Sequence, residues 1–221
     1  MKTFMLAAAM LGTTLAAPAW ADPIAGLFNT GVDANGQKLP ANGAFDTHYV
    51  FTPAGGLVGT PAVTYTNGAY LTDPNGVFIA PSSTGAGGSG TYSLSFTLLP
   101  TQLSSAQLSG SFAADNGASV FLNGTLLTTH LTPAPGDFPA FQSLFAFSAG
   151  SAAFTAGINV LSFQVTDYDA PTALLVTNLQ GTTATAAVPE PATWGMMILG
   201  FGAMGYAMRR RAKVRTTVSF A

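Results

Sequence analysis

The chain has 221 residues, of which 48% are hydrophobic, only 7% are charged and none is cysteine. Its formal net charge of −2 hides an imbalance: between residues 22 and 188 eight aspartates stand against one base, Lys38, a net of −7 with no Arg and no Glu. These counts exclude disulfide scaffolding and thiol chemistry, and they exclude nucleic acid as a partner, because displacing counterions from phosphates takes clustered Lys or Arg.

Met1-Lys2, an apolar stretch over 4–15 and Ala19-Trp20-Ala21 have the layout of a cleavable secretory signal with an A-x-A site. The apolar core is too short, and ends in residues too small, for a first transmembrane helix. Residues 1–21 are therefore expected to be read by the Sec machinery and removed by signal peptidase, leaving Asp22 as the new N-terminus. The exported domain then runs over 22–180, about 160 residues, enough for one well-buried core.

Within that domain the pattern is of strands and turns. Tyr92, Leu94, Phe96 and Leu98 alternate with Ser93, Ser95 and Thr97, so one face meets a core and the other meets water. Residues 118–122 and 125–130 flank Asn123-Gly124, a pair suited to a type I′ hairpin turn. Five further Asn-Gly pairs begin at Asn35, Asn42, Asn67, Asn75 and Asn116 and read as turns by the same reasoning. In 158–165 the apolar positions change phase, which predicts a bulge or two-sided burial. Other candidate strands are 49–52, 62–66, 77–80, 107–113, 143–148 and 173–178. Short strands at this spacing predict an all-β fold, a single β-sandwich of jelly-roll type. Phe138 and Phe141, in a Pro-rich connection, are expected to cover the core.

Asp115-Asn116-Gly117-Ala118-Ser119-Val120-Phe121-Leu122-Asn123-Gly124 resembles a strand pair of galactose-binding-like sandwiches, and Gly157-Ile158-Asn159-Val160-Leu161-Ser162-Phe163-Gln164-Val165 resembles their following core strand. That resemblance, over about twenty residues, implies a noncatalytic role in binding glycans or in packing.

Residues 181–188 are small and weakly polar and read as a tether of at most roughly 25 Å. Behind it stand Pro189-Glu190-Pro191, an uncharged stretch over 192–208, and a basic stop of Arg209, Arg210, Arg211, Lys213 and Arg215, with 216–221 as a short tail. The prolines keep the start extended, and 17 helical residues would cover about 25 Å of a ~30 Å hydrocarbon layer. A single transmembrane helix is expected there, its basic end in the cytoplasm and Trp194 at the outer interface. Gly195, Gly200, Gly202 and Gly205 leave it thin enough for another helix to approach.

Pro189, Glu190, Pro191, Trp194, Gly200-Phe201-Gly202 and Arg209, Arg210 and Arg211 make the segment 189–215 resemble the PEP-CTERM sorting signals of Gram-negative bacteria, in the variant with Trp three residues after the second proline. Gly195 replaces the usual Ala. Such tails are also described as ice-binding C-terminal domains, but this one offers no flat Thr face. The resemblance implies an exosortase-type membrane transpeptidase as partner, removal of the helix, and delivery to the cell surface or the extracellular polysaccharide matrix.

No spacing singles out a catalytic pair among Asp33, Asp46, Asp115, Asp167 and Asp169, and a hydrolase would need two acids about 5 to 10 Å apart across a cleft. His48 and His130 read as surface or strand-end residues; two histidines are too few for zinc, and no Gly-x-Ser-x-Gly elbow is present. Asp167-Tyr168-Asp169 is the best candidate for a glycan or cation contact, with a solvated turn as the plain alternative. No cofactor and no defined metal site are expected, calcium being the one ion that the Asp surplus would suit. The sequence thus predicts a noncatalytic structural or adhesive protein, with a carbohydrate-binding module as second reading and a polysaccharide hydrolase as third.

Overall fold

A computed structural model describes residues 21–131, 140–184 and 191–209. The chain divides into two units. The unit Ala21–Thr185 holds the strands, and the other contributes one α-helix among the described residues. The strands are β1 (Ala21–Pro23), β2 (Phe45–Pro53), β3 (Thr60–Thr64), β4 (Ile79–Ala80), β5 (Gly90–Leu98), β6 (Gln107–Asp115), β7 (Gly117–Leu122), β8 (Thr125–His130), β9 (Phe145–Ala149), β10 (Gly157–Thr166) and β11 (Ala173–Ala184). β2 to β11 each overlap a predicted segment. β1 has no counterpart in the predictions, being three exposed residues without alternation.

All pairings are antiparallel, in the order β8-β7-β10-β5-β2-β3-β4-β11-β6-β9, with β1 laid along the far end of β11. The sheet folds over on itself into two facing layers. Phe163 of β10 packs against Phe112 of β6 and Phe147 of β9, with ring centroids 6.1 and 5.5 Å apart. Around them Leu94, Leu98, Leu122, Leu161 and Leu174 are almost wholly buried. The ends of the strand order also meet, where His130 of β8 stacks on Phe145 of β9 at 3.4 Å. This is the expected all-β sandwich: alternation gives each strand one apolar face, and two such faces remove one another from water.

Three local expectations change. β10 keeps a continuous register with both neighbours and contains no bulge. Its buried positions are Asn159, Leu161, Phe163 and Val165, while Ile158 is 71% exposed. The apparent phase change came from a polar residue facing inward. Asn159 is tolerated there because its amide is satisfied: Nδ2 donates to the Thr155 and Gly157 carbonyls at 2.8 and 3.0 Å, and Oδ1 accepts from Thr155 N and Asn123 Nδ2 at 2.9 and 2.7 Å.

Of the six Asn-Gly pairs, Asn123-Gly124 is the two-residue hairpin turn, with φ of 52° and 80° and strands β7 and β8 on either side. Asn116-Gly117 instead carries the chain from β6 to β7, which pair with different partners. Long-range pairing, which the dipeptide does not encode, decides between these uses.

The tether is shorter than expected. β11 continues through Ala184, and Thr182 pairs with Gln107 of β6 on one side and Pro23 of β1 on the other. Residues 181–184 therefore belong to the sheet.

The helix α1 spans Pro191–Arg209 and matches the predicted segment. Its described side chains face outward, including Met196, Ile198, Leu199, Phe201 and Met204. The expected transmembrane helix is nevertheless corrected: among the described residues no helix is long and apolar enough to cross a membrane. The composition supplies the reason, since four glycines with Thr193, Trp194 and Tyr206 dilute the aliphatic content.

Candidate functional site

Asp167, Tyr168 and Asp169 lie in the connection from β10 to β11, and the structure ties this loop to two others. Asp167 N donates to Ser89 Oγ at 2.8 Å, and the Ser89 hydroxyl donates to the Asp167 carbonyl at 3.2 Å. Tyr168 N donates to Asn116 Oδ1 at 3.0 Å, while Asp169 N turns back onto Asp167 Oδ1 at 3.2 Å. The last contact is an Asx turn, the plain alternative for this motif. The Tyr168 ring is 42% exposed.

Beside the loop, Asp115 ends β6 and is only 5% exposed. Its Oδ2 accepts a 2.6 Å hydrogen bond from Tyr70 Oη. Burial pushes the Asp115 carboxyl up to about 6, with the Asp167 charge adding to the rise and the Tyr70 bond opposing it. Asp167 is also raised, first by burial and then by Asp169, and the Tyr70 hydroxyl is raised by burial and by donating to Asp115. Asp115, Asp167 and Asp169 are thus brought together. Tyr70 joins them from the loop after β3, where no strand periodicity marks it.

The remaining acids have structural tasks. Asp33 Oδ1 accepts from Asn35 N and Gln37 N at 2.8 and 2.9 Å and closes a tight turn. Asp46 is fully buried and accepts from the backbone N–H groups of Gly31, His48 and Tyr49 at 2.7, 2.8 and 3.2 Å. Burial raises its pKa against those three donors and the nearby His48. His48 is no surface residue: it stacks on Phe28 at 3.7 Å, with Nδ1 3.5 Å from Asp46 Oδ1. His130 is the strand-end residue expected, and burial lowers its pKa. Phe141 is buried against Tyr70, its ring centroid 5.0 Å away; Phe138 lies outside the described residues.

Among the described residues no group of three His, Asp or Glu side chains could hold a metal ion. The sorting residues are described in part. Trp194, Gly200, Phe201, Gly202 and Arg209 are exposed on α1, and Pro191 opens it. Ala21 begins β1. Ala19, Pro189, Glu190, Arg210 and Arg211 lie outside the described residues.

Residues 187–211 match the family described as the PEP-CTERM protein-sorting motif. No curated protein matches the chain in sequence. Among solved structures it is similar to a Stig cyclase, Fisc, from Fischerella sp. TAU, at 12% identity and a TM-score of 0.41, over 73% of this chain and 100% of that one. It is also similar to a family 35 carbohydrate-binding module from Clostridium thermocellum, at 13% identity and 0.31, over 62% and 98%. A third is a carbohydrate-binding module, CBM36, in complex with calcium and xylotriose, at 12% and 0.29, over 54% and 89%. These likenesses are loose, and neither ligand nor activity follows from them. The motif is the specific match: it indicates exosortase-dependent sorting of an exported, membrane-processed protein.

Proposed function

We propose that this is a noncatalytic exported protein, delivered by its PEP-CTERM tail to the cell surface or the extracellular matrix, where the β-sandwich serves a structural or adhesive role. The observation that carries the reading is the motif at 187–211, attached to a separate unit that ends at Thr185. Signal peptidase cleavage after Ala21 would leave Asp22 and Pro23 of β1 paired with Thr183 and Thr182 near the end of β11. The chain's two exits then lie side by side. The apolar outer surface of α1 and the basic residues from Arg209 onward would hold the tail against the inner membrane until exosortase acts.

The noncatalytic part rests on the acids. Asp46 is consumed by three backbone donors, Asp33 closes a turn, and Asp115 is buried beneath Tyr70. Carboxyl groups engaged in this way serve the fold, which leaves Asp167 and Asp169, joined in one Asx turn, as the remaining acids of the five.

The test is to express the full chain with an internal tag in strains with and without exosortase and to determine the mature C-terminus by mass spectrometry. Loss of everything beyond the Pro-Glu-Pro region only when the enzyme is present is the expected result. A tail retained through Arg215 in both strains would overturn the sorting reading.

A further inference from the structure

The six Asn-Gly pairs sit in different surroundings, and the differences bear on their covalent chemistry. Asparagine is a labile residue, most of all before glycine, which has no Cβ to hinder its own N as that atom closes on the asparagine Cγ. The attack needs a backbone N–H that no acceptor holds and an amide free to meet it. Five pairs lack one or both. Gly36 N donates to the Asp33 carbonyl at 2.9 Å and Gly43 N to the Thr64 carbonyl at 2.8 Å. Gly76 is buried, with Asn75 Nδ2 donating to Asn178 Oδ1 at 3.4 Å. Gly117 is buried at the start of β7, and Asn116 Oδ1 accepts from Tyr168 N at 3.0 Å. The Asn123 amide is held at both ends: Nδ2 donates to the Ala153 carbonyl and Asn159 Oδ1 at 3.0 and 2.7 Å, and Oδ1 accepts from Val160 N at 2.9 Å.

Asn67-Gly68 is different. Gly68 is exposed, a Cβ built on it would meet nothing within 4 Å, and its N–H has no acceptor among the described residues. Asn67 Nδ2, the leaving group, has none there either. Ala69 N donates to Asn67 Oδ1 at 3.0 Å, which places a donor on the oxygen that gains charge when Cγ becomes tetrahedral. The turn is pinned. Tyr70 N donates to the Asn67 carbonyl at 3.0 Å, the buried Tyr70 ring is tied to Asp115, and Gln142 Nε2 donates to the Ala69 carbonyl at 3.0 Å. Holding the reacting groups together in this way removes part of the entropic cost of ring closure.

We propose that Asn67 is a self-modification site, where the folded protein deamidates faster than at its other five Asn-Gly pairs. Gly68 N gives its proton to hydroxide and bonds to Asn67 Cγ; the Cγ–Nδ2 bond breaks, and ammonia leaves with a proton taken from water. Water then opens the cyclic imide at one of its two carbonyls, leaving an aspartate or an isoaspartate at position 67. Asn67 lines a cavity of about 280 Å³ together with Lys38, the only Lys or Arg between residues 22 and 188. The product therefore brings a carboxylate into the cavity of that lone base. The inference is independent of the sorting reading.

The test is to incubate the full chain, in detergent, in heavy-oxygen water at neutral and mildly alkaline pH and to map its peptides by mass spectrometry. Each deamidated asparagine gains one heavy oxygen. The Asn67 peptide is expected to take up label several-fold faster than the other five, at a rate that rises with pH. In urea the six should react at similar rates. Gly68→Ala has room for its Cβ and no positive φ to strain it, so it should fold as the wild type and slow labelling at position 67 several-fold. Labelling at Asn67 no faster than at Asn123 in the folded protein would overturn the proposal. So would the same order of rates in urea, or a Gly68→Ala variant that reacts as fast as the wild type.

Discussion

Tyr70 Oη donates to Asp115 Oδ2 at 2.6 Å and so ties the loop after β3 to the last residue of β6. Tyr70 is meanwhile packed among Phe78, Phe141 and Tyr65, with ring centroids 4.6, 5.0 and 5.9 Å away. One side chain thus joins an aromatic cluster to the acidic loop. A carboxyl group held in that position has a dependence on pH that can be measured.

Asp115 is raised from 3.8 to about 6 in the folded protein, chiefly by burial. The folded state therefore binds more protons than the unfolded state between roughly pH 4 and 6, and stability falls as pH rises through that window. The contribution is complete below about pH 4 and lost above about pH 6. Asp115→Asn keeps an acceptor for Tyr70 and carries no charge. It should raise stability at pH 7 by on the order of 1–3 kcal/mol and have little effect near pH 4. Thermal melts of both proteins across this range check it; parallel curves would refute it.

Phe163 joins the two layers through Phe112 and Phe147 and is fully buried. Phe163→Ala should cost about 3–5 kcal/mol, combining lost burial with the cavity left behind. Urea unfolding followed by circular dichroism would measure the loss, and a cost under 1 kcal/mol would contradict the packing described.

Asn159 and Ile158 make a paired test of β10. Asn159→Leu strands the Asn123 amide and the Thr155 N–H, at an expected cost of about 2–4 kcal/mol. Ile158→Thr, on the solvent side, should stay within about 0.5 kcal/mol. If the costs came out in the reverse order, the assigned faces of the strand would be exchanged.

Gly31 has φ of 65°, and a Cβ there would lie 2.6 Å from Val77 Cβ and 2.8 Å from its carbonyl oxygen. Its N–H also serves the buried Asp46. Gly31→Ala should therefore destabilise by more than about 1 kcal/mol, since strain and a disturbed carboxylate contact act together. Gly36, with φ of 75° and open space around it, should suffer only the smaller backbone penalty. The difference between the two melting temperatures is the measurement.

Much of the sandwich was readable because its strands alternate, as in Tyr92 to Leu98, or flank a turn, as around Asn123-Gly124. β10 was misread where Asn159 faces inward and Ile158 outward, since hydropathy assigns each to the wrong side and only the hydrogen bonds from Asn123 and to the Thr155 segment reverse it. β1 went unread because three exposed residues carry no period. His48 reads as a surface or strand-end residue because nothing nearby in the chain announces that Phe28 lies over its ring. Lys38 stands out as the lone Lys or Arg of the domain, yet composition gives no hint that it reaches the Asp73 carbonyl.

The all-β class, most strand positions and the sorting tail are legible in the amino-acid order, for these depend on alternation, on turn dipeptides and on a contiguous motif within 187–211. That Asp115 meets Tyr70, that Lys38 reaches Asp73 and that β1 closes against the end of β11 emerges with the folded sandwich alone. Each of these joins residues 35 or more positions apart. Such contacts follow from strand order and register, which local periodicity leaves open and which the burial of a shared core settles.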